Sequence, residues 1–374
     1  MHNYFLLKML NPFFKCKSFS FSSLDDNVML NNNIEYEKLE IPSIINKISN
    51  VRGSALKNIT RSISDKLFSK EIDNKLIMND GLFEFMDIHS EGFTFLKNRQ
   101  SKRKRTIIRA HTPFGLLRKY LFQEELKGVD GWFAFKREKK CFNWTGQITT
   151  PSTDLKNKII DLYNIKSEKI YVLPNILDTN HFRPMQKSKS NYFKILHIGR
   201  FERTKGVETL IKAFTKLSKL FNNIKLINVG EARGPSLKKC MEWIEQEGLS
   251  KNVQFTGFVK YEDLPSYYAA ADVVVVPSEI YESFSYAVAQ GMACGKPVIA
   301  SKIGGIPETL NYGESGILFN PGDIDDLTEK IKLLYHDLKM RRLIGDSARL
   351  FCKNNFSMET LQPKYLAFYQ SILK

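Results

Sequence analysis

The sequence predicts an α/β protein of two domains, each a doubly wound parallel sheet with helices on both faces. The 374 residues are enough for two domains at roughly 100 to 200 residues per domain. From residue 82 onward, short β-branched segments alternate with helical patterns, which is the order that produces parallel sheets. The segment Val273–Val276 is apolar at every position, as expected of a central strand buried on both faces.

Composition excludes several classes of protein. With 43% apolar and 26% charged residues, the chain resembles folded globular proteins rather than disordered, collagen-like or coiled-coil ones. Lys and Arg number 56 against 40 Asp and Glu, so the net charge of +16 favours an anionic membrane, nucleic acid or a phosphate-bearing ligand as partner. No stretch of 18 apolar residues free of charge occurs, so we expect any membrane contact to be peripheral.

The cysteines and the first residues predict a cytoplasmic protein. The five cysteines are scattered without the spacing of a zinc site or a disulfide framework, which fits a reducing compartment. The apolar residues near the start are interrupted by Lys8 and followed by Pro12, so they do not form the core of a secretory signal. The predicted location is therefore the cytoplasm, with a peripheral position at the cytoplasmic membrane face left open.

The N-terminal domain is predicted over residues 1–180. Its first 80 residues are divergent and show one strand, Ile34–Ile41, and one helical pattern, Ala55–Phe68. Regular alternation begins near residue 82, and a short helix is predicted at Phe93–Asn98. Three strands follow, of which the last two end at a proline that cannot pair in a ladder: Thr106–Ile108, Gln147–Thr150 and Ile170–Leu173.

The C-terminal domain is predicted over residues 194–355. Residues 178–193 have no periodicity, and we place the linker at 181–193. The last helix, within 356–374, is expected to pack back on the N-terminal domain. The predicted strands are Lys194–Ile198, Ile224–Val229, Val253–Phe255, Asp272–Val276, Pro297–Ala300 and Gly316–Phe319. The predicted helices are Val207–Leu220, Asp325–Leu338, Met340–Lys353 and Met358–Leu373.

The loop Gly199–Gly206 has the residues of an anion site. It follows a predicted strand, at the sheet edge where ligands of parallel α/β domains bind. Its two glycines allow a close approach of the backbone, and Arg200 and Lys205 flank the turn, which suits a diphosphate. The glycine spacing is that of neither a Walker A loop nor a dinucleotide fingerprint, and a solvated basic loop is the alternative interpretation.

A second candidate site follows the strand Asp272–Val276. Glu282 is predicted at the start of a helix whose first turn holds Ser283 and Ser285, so free amides could bind phosphate while Glu282 faces sugar hydroxyls. Gln290 lies about 12 Å from Glu282 along such a helix, which is too far for the two residues to act as an acid and base on one glycosidic bond. The side chains of Glu282 and Gln290 would therefore contact different ends of one ligand. The alternative is a helix-capping Glu282 and a surface Gln290.

These motifs occur in the order found in the family 4 retaining glycosyltransferases, and residues 83–370 resemble that family. Its fold is GT-B, two Rossmann-like domains that face each other across a cleft. The matching residues are Gly199, Arg200, Lys205 and Gly206; Pro277, Ser278, Glu282, Ser283 and Phe284; Gly295–Ser301, Gly304, Gly305 and Glu308. In the N-terminal half they are the strand that ends in His111 and the segment Leu173–Asp178 with Phe182 and Pro184.

The resemblance implies a role for each matching position. The donor diphosphate would be bound by Arg200 and Lys205 and by the amides of Ser283, Phe284 and Ser285. The donor sugar would contact Glu282 and His111, the base would lie by Phe258 and Val259, and the ribose by Gln290. It also implies that Glu282, His111, Arg200 and Lys205 are the catalytic residues. The family uses no metal and no cofactor beyond the UDP- or GDP-linked co-substrate. The acceptor attacks on the same face of the sugar, without a protein nucleophile. His111 has an alternative interpretation as a structural histidine.

Three departures from the family pattern are visible. Gln290 replaces a glutamate, which removes a charge-assisted hydrogen bond to the ribose. Ile176 replaces a glycine and predicts a different turn. Nothing in residues 1–50 resembles the family's first strand and glycine-rich loop, so we expect an N-terminal domain that is divergent, or incomplete because the chain begins late.

The basic segment Lys97–Arg105 carries six cations and no acid. An anionic membrane face, a solvated loop and nucleic acid are all compatible with it, but nucleic acid is disfavoured because aromatic residues are not interleaved with the charges. The partners we predict are a nucleotide-sugar donor, a glycan or lipid-linked acceptor, and an anionic membrane at this segment, without nucleic acid.

The sequence thus predicts a retaining, metal-independent glycosyltransferase that moves a hexose-like sugar from a UDP- or GDP-sugar to a glycan or lipid-linked acceptor in cell-envelope polysaccharide or glycolipid synthesis. Two alternatives stay open. One is a nucleotide-sugar epimerase or a phosphorylase on the same fold. The other is a non-catalytic GT-B protein that binds only a sugar nucleotide, an anionic surface or a catalytic partner, which the glutamine at position 290 would permit.

Overall fold

In the computed structural model, the residues described are 9, 17–20, 35–38, 82–87, 93, 96–121, 129–186, 189–231 and 235–373. The helix predicted over Ala55–Phe68 lies outside them. Of residues 1–50, in which the sequence shows no resemblance to the family's first strand and glycine-rich loop, only 9, 17–20 and 35–38 are described. None of the helices in these ranges is both long and apolar enough to cross a bilayer. The four cysteines among them are buried free thiols: Cys141, Cys240, Cys294 and Cys352.

The described residues of the N-terminal half form two parallel sheets. The first pairs β1 (Lys17–Ser20) with β2 (Glu35–Lys38), which falls within the strand predicted over Ile34–Ile41. The second has the order β3-β4-β5-β6 and consists of Phe83–Met86, Thr106–Arg109, Gln147–Thr150 and Ile170–Val172. Among the described residues of this half, the α-helices of eight or more residues are α1 (Phe114–Leu121), α2 (Val129–Trp144) and α3 (Thr153–Tyr163).

The C-terminal half contains a six-stranded parallel sheet of order β12-β11-β10-β7-β8-β9. Its strands, in chain order from β7, are Phe193–Ile198, Ile224–Val229, Val253–Phe255, Val273–Val276, Val298–Ser301 and Ile317–Phe319. Its helices, in chain order from α4 to α10, are Val207–Ser218, Pro235–Gln246, Leu264–Ala270, Tyr286–Ala293, Ile306–Thr309, Ile324–His336 and Leu338–Phe356. The strand order reverses direction at β7 and β10, which is where ligands bind in open sheets of this kind.

Burial explains why these segments are strands. Every side chain of β10 is between 0 and 5% exposed, because one layer of helices covers each face of the sheet. Helix α4 directs its apolar positions, among them Leu210, Phe214 and Leu217, into one of the two resulting cores. The parallel α/β fold predicted from the sequence is therefore present.

The last helix, α11 (Met358–Leu373), contacts the N-terminal half. The guanidinium of Arg109, at the end of β4, donates to the hydroxyls of Tyr365 and Tyr369 at 3.1 and 3.2 Å and to Glu84 at 2.6 Å. Arg109 is only 2% exposed, so these bonds satisfy a charge that would otherwise be costly to bury. The last helix is thereby joined to the four-stranded sheet of the N-terminal half.

Two helices near the end begin earlier than their periodicity predicts. The predicted helix Asp325–Leu338 runs from Ile324 to His336, and the next runs from Leu338 rather than Met340. Asp337 separates them because its backbone is extended and its side chain accepts from the amide of Met340, which caps the second helix. The break between the two helices was predicted, but one or two residues too late, because an apolar period does not show which residue caps a helix.

Candidate functional site

Two loops meet at the carboxyl edge of the C-terminal sheet. One is the turn after β7 that contains Arg200 and Lys205, and the other is the segment 277–285 after β10. They touch at Gly206, where φ is +69° and an added Cβ would lie 1.7 Å from the carbonyl oxygen of Pro277. Only glycine permits this approach. The glycine predicted to allow close backbone contact therefore serves to bring the two loops together.

Lys205 and Glu282 form the centre of the site. The ammonium of Lys205 lies 2.6 Å from the Oε1 atom of Glu282, and the hydroxyl of Ser278 donates to the same oxygen. Both charged side chains are mostly buried, at 26 and 11% exposure. A cation and a carboxylate are thus held next to each other at the sheet edge, in surroundings where electrostatic interactions are stronger than in bulk water.

The predicted helix start at Glu282 is wrong. Helix α7 begins at Tyr286, with Ser285 as its N-cap residue, so the segment 282–285 precedes the helix. The segment is held by Gly304 and Gly305: the amide of Gly305 donates to the carbonyl of Glu282 at 2.7 Å, and a Cβ on Gly304 would lie 2.3 Å from that oxygen. Because this tertiary contact holds Glu282 outside the helix, the rise of an α-helix does not determine the distance between Glu282 and Gln290.

Beneath this pair lies His197, a residue that the sequence analysis did not single out. It is 2% exposed, and burial lowers its pKa to about 4, with the Lys205 cation lowering it further and Glu282 acting in the opposite direction. Its Nδ1 atom and both polar side-chain atoms of Asn228, its register partner on β8, are buried without a hydrogen-bond partner in the described part of the chain. A buried imidazole with a lowered pKa thus lies within electrostatic range of the charged pair.

His111 occupies the end of the neighbouring sheet. Its backbone amide donates to Asp87 at 2.7 Å, and its Nε2 atom is 3.1 Å from the Oδ1 atom of Asn175, which acts as acceptor. Burial lowers the pKa of His111, and the cation of Arg109 lowers it as well. The ring is therefore neutral near pH 7, with its tautomer fixed by Asn175.

A cavity of about 390 Å³ joins the two halves at this point. Five of the predicted residues line it: Arg200, Lys205, Glu282 and Ser283, which form a polar wall, and Phe284. The opposite wall is apolar and includes Leu116 and Leu117 of α1. The lining residues are Thr112, Leu116, Leu117, Arg200, Lys205, Ile280, Tyr281, Glu282, Ser283 and Phe284. A second cavity, of about 420 Å³, lies on the other side of the 277–284 segment and contains Arg203 and Glu279 but none of the predicted residues.

The remaining predicted residues lie away from that cavity lining. Ser285 is 4% exposed at the start of α7, and Phe258 is 78% exposed. Val259 packs partly against the core of the C-terminal half. Gln290 is 3% exposed and its Oε1 atom accepts from the hydroxyl of Tyr268 at 2.9 Å, so the structure places it in the interior. His111 is also outside the lining, next to the lining residue Thr112. Arg200, in contrast, does line the cavity; its side chain is 72% exposed and pairs with Glu202 at 3.1 Å.

Direct hydrogen bonds connect the two halves beside the cavity. The carboxylate of Glu308 accepts from the backbone amide of Thr153 at 2.8 Å and from its hydroxyl at 2.9 Å, at the first residue of α3. The hydroxyl of Tyr281 donates to Asp154 at 2.8 Å. Sequence reasoning recognised Glu308 only as part of a motif. Its partner is 155 residues away in the sequence, so no local pattern could have revealed the contact.

Two family models match consecutive parts of the chain. The model described as Glycosyltransferase Family 4 matches residues 83–181, and the model described as Glycosyl transferases group 1 matches residues 178–351. The boundary between the two matches falls in the segment that the sequence analysis identified as lacking periodicity.

Curated relatives match at moderate identity. The N-acetyl-alpha-D-glucosaminyl L-malate synthase of Bacillus anthracis is 26% identical over 232 residues, covering 62% of this chain and 58% of that protein. The D-inositol 3-phosphate glycosyltransferase of Paenarthrobacter aurescens is 31% identical over 218 residues, covering 56% and 53%. The matched part spans 58 to 65% of the length of the first three relatives.

Solved structures match over nearly the whole chain. HepE of Anabaena in complex with UDP superposes with a TM-score of 0.77 at 18% identity, covering 99% of this chain and 96% of that one. The sucrose-phosphate synthase of Thermosynechococcus elongatus superposes with a TM-score of 0.78 at 20% identity, covering 98% and 91%. At such identities the likeness concerns the fold, and it confirms the GT-B architecture predicted from the sequence.

Proposed function

The chain belongs to the family 4, group 1 glycosyltransferases, and from this we propose that it transfers a hexose-like sugar from a UDP- or GDP-sugar to a hydroxyl of a glycan or lipid-linked acceptor. The observation that carries the proposal is the Lys205 and Glu282 pair in a cavity shared by both halves. A uridine nucleotide is supported by HepE, a structural neighbour crystallised with UDP and with UDP-glucose.

The polar wall of the cavity is assigned to the donor. Lys205 and Arg200 neutralise the diphosphate, and the amides of Ser283, Phe284 and Ser285 near the start of α7 add donors for its oxygens. The Glu282 carboxylate accepts from hydroxyls of the transferring sugar. Because Glu282 already accepts from Ser278, its orientation is set before the sugar arrives, which lowers the entropic cost of binding. Phe258 and Val259 are assigned to the base and Gln290 to the ribose, as the resemblance implies.

The opposite wall is assigned to the acceptor, and His111, which is next to the lining residue Thr112 but outside the lining, is assigned to the transferring sugar. The neutral imidazole of His111, held by Asn175, offers the transferring sugar a hydrogen bond rather than a positive charge. Leu116 and Leu117 on α1 provide an apolar surface across the cavity from Lys205. Such a surface suits the hydrophobic face of a sugar ring or the proximal part of a lipid-linked acceptor in cell-envelope polysaccharide or glycolipid synthesis in the cytoplasm.

The reaction we propose retains the anomeric configuration and uses no metal. The bond between the anomeric carbon and the diphosphate oxygen breaks, and the acceptor oxygen bonds to that carbon on the same face. The acceptor's proton passes to the departing diphosphate oxygen. Lys205 and Arg200 stabilise the charge that develops on that diphosphate, which is the role such cations fill in electrostatic catalysis.

Calorimetric titration with UDP, GDP and their sugar conjugates tests the donor site. We expect one nucleotide to bind, with binding reduced in Arg200→Ala and the contribution of the sugar reduced in Glu282→Gln. Arg203→Ala and Glu279→Gln are matched controls, because both residues lie on the same loops but line the other cavity. Unchanged affinity after addition of a chelator is expected for a metal-independent donor site.

Product analysis distinguishes the alternatives. Transfer of labelled sugar to an added acceptor, with the configuration of the new bond read by NMR, supports the proposal. Conversion of the nucleotide-sugar without an acceptor would indicate an epimerase instead. No binding of any nucleotide at millimolar concentration would overturn the proposal and favour the non-catalytic alternative.

A further inference from the structure

Tyr281 follows a strand of the C-terminal sheet, but its side chain packs in the core of the N-terminal half. It is 8% exposed and shares a hydrophobic cluster with Leu155 and Ile159 of α3. Its hydroxyl donates to the Oδ2 atom of Asp154 at 2.8 Å. A buried tyrosine is stabilised best when its ring is packed and its hydroxyl has a partner, and both conditions are met here by the other half of the protein.

The acceptor of this hydrogen bond is itself held in place. Asp154 lies in the first turn of α3, which begins after its N-cap residue, Ser152. The Oδ1 atom of Asp154 is 3.1 Å from the ammonium of Lys158, one turn further along the helix. That ammonium also lies 5.5 Å from the centroid of the Tyr281 ring. Tyr281 therefore has a fixed and charged acceptor, which makes the hydrogen bond stronger than one between neutral groups.

The residue after Tyr281 is Glu282, and its side chain is held by the C-terminal half. Its Oε1 atom lies 2.6 Å from the ammonium of Lys205. Two consecutive side chains of the segment 277–285 are thus fixed by different halves of the protein. Because the Cα atoms of consecutive residues are about 3.8 Å apart, a displacement of Tyr281 would move the backbone of Glu282 with it.

Gly305 packs where this segment meets the N-terminal half. Its amide donates to the carbonyl of Glu282 at 2.7 Å. An added Cβ at Gly305 would lie 2.1 Å from the carbonyl oxygen of Ser283 and 2.9 Å from the Oγ atom of Ser152. The backbone around Glu282 is therefore in close contact with the first turn of α3, the same turn that contains the acceptor of the Tyr281 hydroxyl.

We infer that Tyr281 is a positioning residue for Glu282. The buried ring and the bond to Asp154 fix the segment 277–285 against α3, and this determines where the Glu282 carboxylate meets the transferring sugar. Small errors matter at such a position, since a misplacement of about 1 Å can reduce a rate about 10²-fold. The inference rests on the proposed function for the role of Glu282, and it makes recognition of the donor sugar depend on a contact between the two halves.

Calorimetric titration with UDP and UDP-glucose, or with GDP and GDP-mannose if GDP is the nucleotide that binds, tests this role. Tyr281→Phe keeps the ring and removes the hydroxyl. We expect it to weaken binding of the sugar conjugate roughly tenfold, the loss typical of one hydrogen bond to a charged group, and to leave the affinity for the free nucleotide unchanged. Asp154→Ala should have the same effect, and the double variant should be no weaker than either single variant, because all three lack the same bond.

Tyr335→Phe is the matched control. It removes a hydroxyl that donates to Asn223 within the C-terminal half, and it should change neither affinity. Equal weakening of nucleotide and conjugate by Tyr281→Phe would indicate a general loss of structure and overturn the inference. A loss in Tyr281→Phe that Asp154→Ala does not reproduce would overturn it as well, because the hydroxyl would then act on the ligand directly.

Hydrogen exchange of the Gly305 amide, measured by NMR without ligand, tests whether the segment loosens. Because this amide donates to the carbonyl of Glu282, its exchange should become several-fold faster in Tyr281→Phe and stay unchanged in Tyr335→Phe. Unchanged exchange in Tyr281→Phe overturns the inference. If the unmodified protein binds no nucleotide, the proposed function fails, and the exchange of Gly305 alone decides whether Tyr281 holds Glu282 in place.

Discussion

The Nζ atom of Lys205 and the Oε1 atom of Glu282 are 2.6 Å apart although 77 residues separate them in the sequence. The contact depends on Gly206, which allows the two loops to touch, and on Gly304 and Gly305, which hold Glu282 before the helix. The contact between these two side chains joins the loop 199–206 and the segment 277–285 into one site.

Replacing either partner should reduce transfer strongly. Lys205→Met removes the cation that stabilises the leaving diphosphate, and we expect kcat/KM to fall by about 10²- to 10³-fold. Glu282→Gln keeps the shape but removes the charge, and a decrease of similar size is expected. Steady-state kinetics measure both effects. Glu279→Gln, a carboxylate on the same loop that accepts from Thr209, should retain most of the activity.

Gly206→Ala should be far more disruptive than Gly248→Ala. Both glycines have φ of +69°, but a Cβ at 206 would overlap Pro277, whereas nothing lies within 4 Å of one at 248. The backbone strain alone costs about 1 to 2 kcal/mol, which is the loss expected for Gly248→Ala. The overlap should raise the loss to about 3 kcal/mol or more for Gly206→Ala. Urea unfolding measures the difference, and equal losses would mean that the loops can separate freely.

His197 should make the folded protein sensitive to mild acid. Its pKa in the folded protein is about 4, below the usual value of 6.5, so the unfolded chain binds the proton more readily between these values. Stability from a neutral His197 is therefore present above about pH 6.5 and is lost as the pH falls toward 4.

The variant His197→Gln isolates this effect. Between pH 7 and pH 5, the free energy of unfolding of the unmodified protein should fall by about 2 kcal/mol more than that of the variant. Urea unfolding at the two pH values provides the comparison. If the free energy of unfolding changes with pH equally in both proteins, His197 takes up its proton as readily in the folded protein as in the unfolded chain.

Glu308 should contribute to stability by capping α3 from the other half. Glu308→Ala removes the acceptor for the amide and hydroxyl of Thr153, and we expect a loss of about 1 kcal/mol, the usual value of an N-terminal cap. Glu314→Ala is the matched control, since this exposed carboxylate accepts from Asn311 in its own half. Urea unfolding measures both variants. The contact has no energetic role if the two variants are equally stable.

The sequence by itself determined the α/β class, most strand positions and the two loops that contain Arg200, Lys205 and Glu282. These features depend on local periodicity, on the positions of proline and glycine, and on short motifs, so they can be predicted from one sequence. Val273–Val276 could be recognised as a central strand because burial on both faces requires an apolar residue at every position.

Only the tertiary structure decided where several of these side chains point. Gln290 lies in the interior with Tyr268, Glu308 reaches the other half, and His197 is buried within electrostatic range of the charged pair. The bond from Tyr281 to Asp154 likewise joins residues of different halves. Each depends on contacts between residues distant in the chain, and such contacts are set by packing of the whole fold rather than by the local order of residues.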